Sequence, residues 1–69
     1  MDYRKLEGKI KEVFGTQTAF AEAMDMKQPA LSQRLNDSVE WKLSEIAKAC
    51  DLLNIPLAEA HLYFFTLKV

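Results

Sequence analysis

The sequence predicts an all-α fold of five short helices, two of which form a helix-turn-helix. Three observations predict it. Apolar residues recur at three- and four-residue spacing along most of the 69-residue chain, glycine, proline and asparagine interrupt that period, and no run reads as a strand. The stretch from Gln17 to Asn36, QTAFAEAMDMKQPALSQRLN, carries two short helical periods separated by a three-residue break.

Tyr3, Leu6, Ile10, Val13 and Phe14 draw the first helix, with Arg4, Lys5, Lys9, Lys11 and Glu12 on its other face. Gly15 ends it, since glycine takes the left-handed conformation that closes a helix at little cost. Thr16 then caps the second helix by accepting a bond from a free N–H. Gly8 lies inside the first helix, where glycine costs roughly 1 kcal/mol relative to alanine. Close packing or simple tolerance would explain it.

In the second helix Phe20 and Met24 stand four apart, and Ala21 supplies a small side chain where another helix crosses closely. Met26 plugs the turn. A third helix begins near Pro29, whose missing N–H and fixed φ suit a first turn, with Lys27 or Gln28 as a weak cap. Leu31 and Leu35 form its buried stripe. Lys27, Gln28, Ser32, Gln33 and Asn36 face outward, and such side chains reach base edges and phosphates.

After the short loop Asp-Ser-Val-Glu, the residues Leu43, Ile46, Ala47, Cys50 and Leu53 define a fourth helix that Asn54 closes. Pro56 opens a fifth, in which Leu57, Ala60 and Phe64 share a face and Glu59 sits favourably in the first turn. The tail from Phe65 to Val69 is either extended or packed. With Phe64, Phe65, Leu67 and Val69 so close together, part of that surface is expected to be covered by another chain.

A chain of this length is expected to be a single domain, 1–69, burying only ~60% of the surface its unfolded form exposes. Its 49% apolar content supports a thin core and makes a homodimer plausible. Cys50 is the sole cysteine, so no internal disulfide forms and a reducing interior is the natural setting. Neither a signal peptide nor a membrane span is read.

Net charge is -1 and the pI about 5.7, unlike a nonspecific nucleic-acid binder. The distribution is uneven. Residues 1–36 hold six basic and five acidic side chains, and residues 37–69 hold three and five. Met26 to Asn36 has Lys27 and Arg34 and no acid, so the third helix reads as locally basic.

Catalytic, cofactor and metal sites are not expected. No nucleophile has a plausible base, and there is no glycine-rich phosphate loop. Cys50 lies on an apolar helix face, and His61 lacks companions at ligand spacing. Trp41, Tyr63, Phe64 and Phe65 are expected to be mostly core, with one or two available as interface anchors.

Gln17, Ala21, Met24, Met26, Gln28, Leu31 and Leu35, flanked by FGTQ, WKLSEIAKACDLLNI and YFF, together resemble the small Cro-like and modulator-of-repression proteins of temperate phages, within the lambda-repressor-like helix-turn-helix group. The resemblance spans nearly the whole chain. It implies a compact five-helix lambda-repressor-like domain, motif at about 17–36, working in the cytoplasm of a bacterial host. It also implies contacts to double-stranded operator DNA. Gln17 would approach a phosphate, Gln28, Ser32 and Gln33 would enter the major groove, and Lys27 and Asn36 would steady the protein on the backbone.

Three positions depart from the pattern. Asp25 stands where the turn usually has glycine, Pro29 replaces a polar reader, and Arg34 replaces a third apolar residue. Arg34 is expected along the helix seam with its head in water, or to serve a partner. Two functions therefore stand. One is a phage or prophage transcriptional regulator reading operator DNA as a dimer; the other is an antirepressor that binds the phage repressor protein and alters or blocks its DNA binding.

Overall fold

Most of the predicted breaks end a helix. In the computed structural model, which describes residues 1–67, α1 spans Arg4–Phe14, α2 Gln17–Ala23, α3 Gln28–Leu35, α4 Leu43–Leu52 and α5 Ala60–Phe64. A 3-10 turn at Leu57–Glu59 leads into α5. Strand is absent among the described residues. Val69, part of the apolar tail considered above, lies outside them.

The helix ends follow from local chemistry. Gly15 closes α1 at φ +83°, and the Thr16 hydroxyl accepts the Ala19 N–H at 3.1 Å to start α2. The next three long helices end alike, each with a non-glycine residue in the left-handed region: Asp25 (φ 59°) after α2, Asp37 (φ 63°) after α3 and Asn54 (φ 56°) after α4. At each end the following N–H reaches back five residues, from Met26 to Ala21 O at 2.9 Å, Ser38 to Gln33 O at 2.9 Å and Ile55 to Cys50 O at 2.8 Å. That bond marks a Schellman ending. Aspartate and asparagine are the L-residues that tolerate it best. Met26 and Ile55, just beyond two of these ends, also pack on or within the core.

The core takes Leu6 and Ile10 from α1, Phe20 and Ala21 from α2, Leu31 and Leu35 from α3, Ile46, Ala49 and Cys50 from α4, and Phe64 from α5. Edge contacts between rings tie its two ends. Phe14 meets Phe20 with centroids 5.3 Å apart, and Trp41 stands edge-on to Phe64 at 5.0 Å. The C-terminal segment returns to the N-terminus, where the Asp2 N–H donates to Thr66 O at 2.7 Å.

Several predicted core positions are instead exposed. Leu43 is 81% exposed because it opens α4 before the helix reaches the core. Ala49, three residues after Ile46, takes the buried place expected for Ala47. Leu57 sits in the 3-10 turn, whose three-residue period rotates it off the α5 face, leaving it 69% exposed. Val13 and Phe65 are also exposed. A Cβ at Gly8 would meet nothing within 4 Å, so tolerance, not close packing, accounts for that glycine.

Candidate interaction surface

The candidate surface is built by α2, its Schellman turn and α3. Ala21 is fully buried, and its small side chain lets the two helices approach. Met24 is buried and Met26 half-buried in the turn, as gap-filling side chains. The Lys48 ammonium donates to Met24 O at 3.3 Å, satisfying a carbonyl at the end of α2 from α4. The turn is thus fixed from three sides.

On this frame five of the six predicted contact residues fall into two groups, Gln17, Gln28 and Ser32 in one and Gln33 and Asn36 in the other, with Lys27 apart from both. Gln28 and Ser32, four apart, occupy the flank of α3 toward α2. There Gln28 Nε2 donates to Gln17 Oε1 at 3.4 Å, joining the first residues of the two helices. Ser32 is half-buried. Pro29, Gln33 and Asn36 follow at i, i+4 and i+7 and form the outer arc, all three exposed. Lys27 is exposed at the start of α3 without a side-chain capping bond. Gln17 and Gln28 are therefore brought together, whereas Asn36 lies about 12 Å farther along the helix axis.

The electrostatics differ from the sequence reading at Arg34. Its head is not in water: Nε donates to Glu45 Oε1 at 2.9 Å, Nη2 to Glu45 Oε2 at 3.0 Å, and Nη1 to Ala30 O at 3.0 Å. Burial pushes the Glu45 carboxyl up, but the Arg34 bonds, the Lys42 N–H and the two nearby cations outweigh it and hold the group below the ordinary carboxylate range. The pair cancels its own charge. Of the two cations that made α3 read as basic, only Lys27 remains exposed, and two acidic residues, Asp37 and Glu40, follow within four residues of Asn36.

Periodicity had no means of revealing Glu45 as the partner, since it lies eleven residues away on a different helix. Nor did it reveal that Val39 and Leu43 are exposed apolar residues. The only usable signal was Arg34 itself, a charge in an apolar position that required a partner.

Elsewhere the chemistry is plain. Burial pushes the Cys50 thiol up and keeps it protonated. Among the described residues no group of three or more His, Cys, Asp or Glu side chains is placed to hold a metal, and no helix is long and apolar enough to cross a membrane.

Comparison with known proteins bears on the whole chain. Residues 1–67 match the family described as protein of unknown function DUF739. Among solved structures, the chain is similar to the modulator of repression of the temperate bacteriophage TP901-1 from Lactococcus lactis, a solution structure. The two are 46% identical, with a TM-score of 0.84 over 99% of this chain and 92% of that one. No curated protein sequence matches.

Proposed function

The chain belongs to the DUF739 family, and from that premise we propose that it is a modulator of repression, binding a phage or prophage repressor protein and changing that repressor's DNA binding. The single observation behind this is the 46% identity, across 99% of the chain, to a protein that carries that name. The electrostatics support it. A phosphate-facing surface gains affinity from each cation that displaces counterions, yet here Arg34 is neutralised by Glu45 and Asn36 is followed by two carboxylates. Lys27, Gln28, Ser32, Gln33 and Asn36 suit hydrogen bonding to another protein's polar surface.

Operator binding through a helix-turn-helix at about 17–36 is the second reading. The Gln17–Gln28 contact favours it, because it holds a base-reading glutamine against a residue at a helix N-terminus that also suits phosphate. The two readings separate in one titration. Labelled operator DNA is mixed with the neighbouring repressor, with this chain, and with both. A modulator shifts the repressor's affinity for DNA while showing no operator preference alone. Sequence-specific binding by the isolated chain, with no effect on the repressor, would overturn the proposal.

A further inference from the structure

A second surface lies where the connection after α3 passes the C-terminal segment. An open groove of about 470 Å³ lies there, lined by the aromatic residues Trp41, Phe64 and Phe65 and by the carboxylates of Asp37 and Glu40. Phe65 is 53% exposed and Trp41 half-buried, while Phe64 is buried and forms the floor beneath them. Trp41 Nε1 is buried without a partner among them. Burial, with the charges of Asp37 and Glu40, pushes the Tyr3 hydroxyl pKa up, so the negative field reaches into the groove.

The chain itself shows the kind of group that settles here. The Met1 ammonium pairs with Asp37 while Met1 lines the same groove, placing a cation beside an apolar side chain. Glu40, three residues after Asp37 and next to Trp41 in the chain, is exposed and makes no ion pair with a described residue. With Asp37 paired to the Met1 ammonium, a phosphate-bearing ligand is repelled by Glu40, and a wholly apolar one would bury its charge without compensation. The complementary ligand pairs a cation with an apolar side chain.

We propose that this groove docks a protein segment in which a lysine or arginine adjoins an aliphatic or aromatic side chain, the cation on Glu40 and the apolar group against Trp41 and Phe65. The proposal is independent of the α2–α3 face and of which protein that face binds.

The test is a two-dimensional NMR titration of the full chain with a capped peptide of alternating leucine and arginine, and with its leucine–glutamate counterpart. The arginine peptide is expected to shift the Trp41 indole and the Phe64 and Phe65 amides and to bind about tenfold more tightly than the glutamate peptide, with affinity falling as salt rises. Glu40→Lys should remove that preference and Gln28→Ala should leave it intact. Glu40→Gln gives the same comparison without charge reversal, and the unshifted remainder of each spectrum reports that the variant folds. Equal binding of both peptides, no shift at the groove, or no change on substituting Glu40 would overturn the proposal. The same shifts produced by raising protein concentration alone would also overturn it, by making a second copy the occupant.

Discussion

Arg34 and Glu45 face each other through two nearly parallel hydrogen bonds of 2.9 and 3.0 Å, with both side chains less than one-sixth exposed. The bidentate pair fastens α3 to the start of α4, and Glu45 simultaneously accepts the Lys42 N–H at 2.9 Å. One carboxylate thus satisfies a guanidinium and a helix N-terminus together. Function feels the consequence, because the arginine that would have made α3 basic is spent on holding α4.

Removing either partner leaves the other charge largely buried and uncompensated. Arg34→Ala or Glu45→Ala should each cost about 2 to 3 kcal/mol, with strong coupling in the double variant. The Glu45 pKa is lowered on folding, so its contribution is complete above the unfolded carboxyl pKa of ~4.3 and drains away as pH falls through the lower folded value. Urea melts from pH 7 downward should show Glu45→Gln lacking this part of the acid sensitivity. Equal acid slopes in the two proteins would show that the pair carries no linkage.

The two glycines should respond oppositely to alanine. Gly8 is exposed inside α1 with open space around its missing Cβ, whereas Gly15 holds φ +83°. Gly8→Ala should stabilise by up to about 1 kcal/mol, and Gly15→Ala should destabilise by about 1 kcal/mol. Thermal melts of the two variants provide the comparison, and a loss at Gly8 would contradict the open helix face.

Ala21 is buried at the α2–α3 crossing and also accepts the Met26 N–H of the turn. Ala21→Leu should overpack that seam at a cost of roughly 1 to 3 kcal/mol. A urea midpoint equal to that of the parent would mean the two helices do not cross closely at this residue.

Helix positions were legible because Gly15, Thr16, Pro29 and Asn54 act locally: each sets its own φ or caps the neighbouring turn. Leu57 was misplaced because a 3.6-residue period was carried through a segment whose period is three. Leu43 was misplaced because spacing alone does not tell whether a helix's first turn touches the core. The exposure of Gln28, Gln33 and Asn36 was legible in the same way as the burial of Leu31 and Leu35, by elimination around the helix, whereas Ser32 is half-buried. Charge was not, since neutralising Arg34 depends on Glu45, which only the fold brings near. The Gln17–Gln28 contact depends likewise on the α2–α3 crossing, and the acidic groove on the return of the C-terminal segment.

The α3 face separates the two functional readings most directly. Under the modulator reading, Gln28→Ala and Gln33→Ala should each weaken binding to the neighbouring repressor by about 1 kcal/mol or more, while the isolated chain shows no operator preference at any salt. Under the operator reading, the same substitutions should relax sequence preference at a cost of ~1 to 3 kcal/mol each, whereas Gln17→Ala should weaken binding to all sequences alike. Salt dependence gives a second handle. With Arg34 paired and Lys27 the exposed cation of α3, any DNA affinity should fall only shallowly with ionic strength. Calorimetry against repressor and fluorescence anisotropy against operator, run on the same three variants, read both predictions. If neither partner responds to Gln28→Ala and Gln33→Ala, the α3 face is not the functional surface under either reading.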